Sequence, residues 1–337
     1  MVTNRDFVTL LLIALPWSLL IWHLSNGNHT DLYWKGTPDR RNRSRPASGD
    51  PSSPREGCTP WGRAAAAGAG GGIVEAVRTE YVYSRPPPWS AALAPLYVIT
   101  ATFQRAVQKA ELTRMANTFL HVANLHWVVI EDARNTSALV RRLLKATGLN
   151  YTHLHLETPR VLRMTGSYPR GGIQKNLGLR WLRLTMGEAP PGVVYFADDD
   201  NVYSLQLFEE MRSTTMVSVW PVGFIAGRKY ESPKINAQGK VCGWVTGFAP
   251  NRPFAIDMAG FAVNLKLLIR KSEVVFKLRD VKSGYQETNL LSALVSLSDL
   301  EPKADNCTKV LVWHTRTERP TLVNEGQRGF SNPEVEV

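Results

Sequence analysis

Apolar and polar positions follow two different periods along this chain, and the change between them divides it. Leu96-Tyr97-Val98-Ile99-Thr100 predicts a buried strand, and Gln108 to Val122 carries apolar positions near helical spacing. Trp127 to Ile130 predicts a second strand ending in Glu131-Asp132, Ala138 to Thr147 a second helix, and Thr152-His153-Leu154-His155-Leu156 an alternating strand. A helix over Gly172 to Leu184 then leads to the apolar run Val193-Val194-Tyr195-Phe196. Strand, helix, strand, helix, strand predicts a parallel sheet with right-handed crossovers. Beyond a helix at Ser204 to Arg212 the pattern shortens. Val217 to Val222, Gly239 to Thr246 and Val310 to Thr317 predict short strands, and Thr288 to Leu297 a helix opened by Glu287. In the last strand His314 and Arg316 alternate, so they share one face.

The ends of the chain read differently. Phe7 to Trp22 is apolar, with Arg5 before it and no small-x-small cleavage site after it. Its length suits the thin bilayers of the early secretory pathway. We read residues 1–6 as a cytosolic tail, 7–23 as an uncleaved signal anchor, and the chain from residue 24 onward as lumenal. Residues 24–92 are rich in Pro, Gly, Ser and Arg, cannot bury a core, and predict a stem. The globular part then comprises 93–203 and 204–337.

Composition narrows the function. Net charge is +11, but the basic residues are scattered and no RNP, zinc-finger or helix-turn-helix pattern occurs. Nucleic acid is therefore not an expected partner, whereas an anionic small substrate is. Cys58, Cys242 and Cys307 lack metal-ligand spacing. Asn-X-Ser/Thr sequons stand at Asn28, Asn42, Asn135, Asn150 and Asn306. No GxGxxG or P-loop pattern is present.

The chemistry points to one stretch. The Val193 strand stops in Asp198-Asp199-Asp200, and open α/β sheets bind ligands at the carboxyl edge of their strands. Neighbouring carboxylates repel unless a cation sits among them, and oxygen ligands suit Mn²⁺ or Mg²⁺ bridging to phosphates. A solvated acidic turn capping the next helix is the plain alternative. Asp257, inside the apolar run Phe254 to Val263, must be paired or functional, because burying it bare is costly. Glu287 reads equally as an acid of the first helical turn.

At Val107-Gln108-Lys109-Ala110-Glu111-Leu112-Thr113-Arg114, Tyr195 to Tyr203, Arg252 to Ala262, and Leu300 to Glu318, the chain resembles the β-1,3-glucuronosyltransferases. The likeness runs from about residue 73 to the C-terminus, with the motifs in family order. It is greatest to the branch that caps N-acetyllactosamine in the natural-killer carbohydrate epitope. The resemblance implies a GT-A-type nucleotide-diphospho-sugar transferase: an α/β fold whose N-terminal half is a Rossmann-like donor unit and whose C-terminal half, a mixed sheet, binds the acceptor. It implies inverting, Mn²⁺-dependent transfer of glucuronate from UDP-glucuronate to the 3-hydroxyl of a terminal galactose, on glycoproteins or proteoglycans. The setting it implies is the Golgi membrane, where the enzyme is a single-pass type II homodimer.

Carried over residue by residue, Glu287 is the general base and Asp200 the metal ligand. Phe103, Asp132, Arg170, Lys175, Asp198, Asp199, His314 and Arg316 lie on the donor side. Glu231, Phe248, Arg252 and Asp257 meet the acceptor, and Val323 and Asn324 reach the neighbouring subunit's acceptor site. Asn135, Asn150 and Asn306 are the glycosylation candidates. Departures cluster on the donor side. The family's Thr-Pro-Thr-Tyr is Thr100-Ala101-Thr102-Phe103 here, its Arg before Asn176 is Lys175, Gln104 and Ala106 stray, and the loop from Arg160 to Arg170 is shorter. These changes leave a second possibility, a catalytically weak lumenal paralogue that holds glycans and partners an active transferase. A metal-dependent phosphohydrolase lacks both a nucleophile and a second metal cluster.

Overall fold

In the computed structural model the described residues are 84–164, 170–187, 191–279, 281–282, 284–323, 332 and 335–337. They belong to one unit, Val77–Val337. The apolar run at 7–23, the stem up to residue 83, Cys58, Asn28, Asn42 and Asn324 lie outside them. Among the described residues, no helix is long and apolar enough to cross a membrane.

The first half forms as its periodicity predicts, save for one short helix in the segment read as a loop from Arg160. Strand β1 (Leu96–Thr102) is followed by α1 (Gln108–Phe119), β2 (Leu125–Glu131), α2 (Ala138–Thr147), β3 (Asn150–His155), the short α3 (Arg160–Met164), α4 (Gly172–Thr185) and β4 (Val193–Phe196). β1 pairs in parallel with both β2 and β4, and β2 with β3, giving the order β3-β2-β1-β4. The order in which successive strands are laid down therefore reverses at β1, and the crevice between the carboxyl ends of β1 and β4 is the switch point where such sheets bind ligands. Residues of β4 alternate between two cores. Val193 and Tyr195 pack among the residues around α1 and α2, while Val194 and Phe196 pack on the side of α4. Burial on both faces explains why β4 is a continuous apolar run.

Later elements are β5 (Val202–Tyr203), α5 (Leu205–Met211), β6 (Val217–Val219), β7 (Val222–Gly223), β8 (Tyr230–Ile235), β9 (Val241–Val245), β10 (Phe261–Asn264), α6 (Leu265–Arg270), α7 (Gln286–Leu294), β11 (Leu300–Pro302), the kinked α8 (Ala304–Cys307) and β12 (Val312–Trp313). They do not build a separate half. β10 pairs antiparallel with β4, and β6 and β11 extend the sheet to seven strands, β11-β6-β10-β4-β1-β2-β3. A second sheet runs β5-β12-β7-β8-β9. Strands from before and after residue 204 thus pair with each other in both sheets, β4 with β10 and β5 with β12.

Two predicted strands and one apolar run take other forms. The Val217 to Val222 run splits at Trp220-Pro221 into β6 and β7, which belong to different sheets. Proline cannot donate to a ladder, so the chain leaves one sheet there and enters the other. Of the Phe254 to Val263 run only the end is strand; Asp257 caps a 3₁₀ turn at Met258–Gly260, its Oδ1 accepting from the Ala259 N–H at 2.9 Å. Of Val310 to Thr317, only Val312–Trp313 is strand, so His314 and Arg316 extend beyond the ladder.

Candidate active site

The acid triplet lies at the switch point, and its three carboxylates have three different fates. Asp198 Oδ1 is 3.0 Å from Lys175 Nζ, a buried ammonium from α4. Asp199 is buried: Oδ2 accepts from Thr102 Oγ1 at 2.6 Å, and Oδ1 lies 2.7 Å from the Arg105 guanidinium. Asp200 is held through its backbone, its carbonyl accepting from Arg114 Nη2 at 2.8 Å and Thr315 Oγ1 at 2.7 Å. Its carboxylate has no hydrogen bond or ion pair among the described residues. Burial, and then the charges of Asp198 and Asp199, raise its pKa to about 6. A carboxylate left without a cation beside two that have one suits a hard dication. Among the described residues no three His, Cys, Asp or Glu side chains form a ready-made metal cage. A site of one carboxylate completed by water and substrate phosphates fits Mg²⁺-like binding, which does not need such a cage.

A pocket of about 550 Å³ gathers Glu231, Phe248, Arg252, Asp257, Glu287, His314 and Arg316, with Phe224, Ile225, Ala226, Ile256 and Gly284 completing its wall. Seven residues whose roles the family resemblance implied thus meet in one cavity. The larger cleft, about 810 Å³, lies over the outer face of α1, and no carboxylate side chain lines it. Glu231 is fixed by Thr246 Oγ1 at 2.5 Å and the Gly247 N–H at 2.7 Å. Arg252 donates to the Gly284 carbonyl, and its guanidinium sits 5.0 Å from the centroid of Phe248 and 5.7 Å from that of Tyr285. Arg252 Nε and His314 Nδ1 are buried without a hydrogen-bond partner among the described residues. Buried polar atoms left open in a cavity are places for a polar ligand.

Glu287 sits in the first turn of α7. Its side chain reaches the pocket, yet protein atoms crowd it on most sides. That burial, reinforced by the charge of Asp257, pushes its pKa up to about 7 against the opposing pull of its own backbone amide, Lys175 and Arg252. Asp257 is also raised, first by burial, with His314 and Lys175 pulling it back. Perturbed carboxyls in a cleft beside cations are a signature of catalytic sites.

Other expected residues stand apart. Asp132 holds the chain after β3, accepting from the Thr158 N–H at 2.7 Å and Oγ1 at 2.9 Å and pairing with Arg163 at 3.0 Å. Arg170 is exposed on the turn before α4, and Phe103 is 50 % exposed. Val323 is exposed and does not line the pocket. Asn135, Asn150 and Asn306 are exposed. Sequence reasoning missed Arg105, Glu111, Gln108 and Thr102, which form one network with Asp199. Their signal lay in α1, where Gln108 and Glu111 fall on the buried face with Leu112, Met115 and Phe119. Polar residues in an apolar stripe require partners.

Comparison with known proteins bears on the same residues. The model of glycosyltransferase family 43 matches residues 115–318. The chain is 58 % identical to galactosylgalactosylxylosylprotein 3-beta-glucuronosyltransferase 1 of Canis lupus familiaris, over 99 % of each chain. It is 52 % identical to galactosylgalactosylxylosylprotein 3-beta-glucuronosyltransferase 2 of Homo sapiens, over 75 % of this chain and 79 % of the relative. The crystal structure of S. aureus TarS 1-349 has a TM-score of 0.43 at 16 % identity, over 66 % of this chain and 60 % of that one, a likeness too slight to bear on the site. The family match takes in the acid triplet, the pocket acids and Glu287, and the first of these relatives aligns over nearly its whole length: the chain belongs to glycosyltransferase family 43.

Proposed function

We propose that this glycosyltransferase moves glucuronate from UDP-glucuronate to the 3-hydroxyl of a terminal β-galactose, on N-acetyllactosamine or proteoglycan-linker glycans. The observation that carries this reading is Glu287, a carboxylate raised to about 7 in a pocket shared with His314, Arg316 and Asp257. A general base works best with a pKa near the operating pH. The names of the relatives supply the sugar transferred.

In this reading Glu287 takes the proton of the acceptor 3-hydroxyl. The freed oxygen pair closes on the anomeric carbon of glucuronate while the bond from that carbon to the diphosphate oxygen opens, and UDP leaves from the opposite face with the electrons of the broken bond. Single displacement inverts the centre and needs no protein nucleophile. His314 and Arg316 meet the diphosphate and the donor carboxylate, for which a planar guanidinium is suited. Asp132, Arg170, Lys175 and Asp198 line the donor side, and Phe103 stacks on uracil. Glu231, Arg252 and Asp257 bond the galactose hydroxyls, and Phe248 offers an apolar face to the ring. Asp200 would hold Mn²⁺, which when bound offsets negative charge on the leaving diphosphate.

We also propose a Golgi membrane setting, with the run at 7–23 as a type II anchor. The exposure of Asn135, Asn150 and Asn306 supports lumenal glycosylation. The exposure of Val323 supports a homodimer in which the Val323–Asn324 segment reaches the partner's acceptor site. The test is transfer of labelled glucuronate from UDP-glucuronate to N-acetyllactosamine, with Mn²⁺ and with EDTA. Transfer that stops with chelation is expected. Transfer unaffected by chelation would remove the metal, and binding of UDP without transfer would replace the enzyme with a glycan-holding paralogue.

The donor-side departures have their own consequence. Phe103 lacks the hydroxyl of tyrosine, a hydrogen bond of roughly 0.5–1.5 kcal/mol. Lys175 reaches Asp198 through a single point charge where arginine would offer a fork. Phe103→Tyr combined with Lys175→Arg is therefore expected to tighten UDP-glucuronate binding about tenfold. Equal affinity in the double variant and the unaltered chain, by calorimetry, would refute this.

A further inference from the structure

Arg105, just beyond β1, is placed where four groups converge on one guanidinium. Its Nη1 donates to the Phe103 carbonyl at 3.1 Å, and its guanidinium carbon lies 4.6 Å from the centroid of the Phe103 ring. Its Nη2 pairs with Asp199 at 2.7 Å and with Glu111, which is only 3 % exposed. Thr102 closes the network: it donates to Asp199 at 2.6 Å and accepts from Gln108 Nε2 at 3.1 Å. Two buried carboxylates beside it hold the guanidinium pKa above its usual value, although burial pulls the other way.

Half of the Phe103 surface remains open beside this cation. An exposed phenylalanine at the carboxyl end of a central strand is a platform waiting for a flat ligand. A loop side chain left to itself would sample several rotamers, and ordering it on binding lowers affinity. The guanidinium face restricts that freedom, because a cation over an aromatic ring is attracted by its quadrupole. The same group is tied to Asp199, one residue from both Asp198 and Asp200. The ring and the acid triplet are thereby parts of one rigid assembly anchored on the buried face of α1.

We propose that Arg105 is a positioning residue for the nucleotide donor: it braces Phe103 as the stacking platform for the base and locks that platform in register with the acid triplet. This rests on the proposed function, in which Phe103 receives the uracil of UDP. Arg105 itself need not touch the donor, since the bonds it makes to Phe103, Glu111 and Asp199 suffice for this role.

The test is UDP titration calorimetry on the full-length chain in detergent, with Arg105→Lys, Phe103→Ala and the double variant. Lysine keeps a positive charge near Glu111 and Asp199, so the fold is retained, but it lacks the planar face and the fork. Arg105→Lys is expected to weaken UDP about fivefold to tenfold, the cost of ordering one freed side chain on binding. In the Phe103→Ala background the same change is expected to cost less than about twofold, because there is no ring left to brace. In turnover assays the donor KM rises while kcat at saturating donor stays within about twofold. Unchanged UDP affinity in Arg105→Lys, or an equal loss in both backgrounds, would overturn the brace alone. Failure of the unaltered chain to bind UDP would overturn the donor-site reading and the brace together.

Discussion

Replacing Glu287 by glutamine is expected to lower kcat about 10²- to 10⁴-fold, the usual contribution of a positioned general base. Substrate binding changes little, because glutamine keeps the shape and the hydrogen-bonding oxygen. The pH dependence follows from the raised pKa of about 7. A base must be unprotonated to act, so kcat/KM of the unaltered chain falls as pH drops below about 7, and the residual activity of Glu287→Gln loses that limb. Stability runs in the opposite sense. The folded state holds the Glu287 proton more tightly than the unfolded chain, whose glutamate keeps its ordinary value of 4.5. Folding is therefore favoured by this group at low pH, and the contribution is lost as pH rises from about 4.5 to about 7. Glu287→Gln should melt higher than the unaltered chain at pH 8 and at nearly the same temperature at pH 4. A melting difference that does not grow with pH would show that Glu287 is not held against its charge. Such a cost is what a site kept for chemistry shows.

Phe196→Ala should be the most destabilising change near the site. Phe196 is fully buried at the last position of β4, edge-on to Phe276 at 5.0 Å between ring centroids and tilted to Phe261 at 6.2 Å. Truncation removes a ring that α4, β10 and the segment after α6 all pack around, for a loss of about 3–5 kcal/mol. Two residues later comes Asp198, so the same cavity loosens the Lys175 pairing. In denaturant titrations the midpoint falls with little change in slope, and Phe196→Leu recovers most of the loss. A loss below about 1 kcal/mol would mean the site collapses freely, and that the triplet does not depend on this packing.

The sequence alone determined the Rossmann-like order of strands and helices up to β4, and the place of the acid triplet at its end. Both are local properties. A strand buried on both faces must be apolar throughout, and helix α1 must repeat its apolar positions every three or four residues, so burial is written in the spacing. Glu287, His314 and Arg316 were located through family resemblance, because a first-turn glutamate and two polar residues after a two-residue strand have no spacing that separates function from solvation. Strand β8 was not legible, since Tyr230-Glu231-Ser232-Pro233-Lys234-Ile235 contains a proline and charged residues. Its strand character comes from pairing with β9, including Pro233 opposite Trp244. Nor could the sequence show that residues after 204 extend the first sheet through β10, because partners far apart along the chain leave no local period.

Only the tertiary structure decided how three adjacent aspartates divide their roles. Lys175 comes from α4, Arg105 from the end of β1, and Arg114 from α1, and each reaches a different residue of the triplet. The sequence places three equal charges side by side. Their environments, set by elements separated by up to about a hundred residues, leave Asp198 and Asp199 paired and Asp200 as the carboxylate without a cation, because electrostatic energy depends on distance in space and on burial rather than on order along the chain.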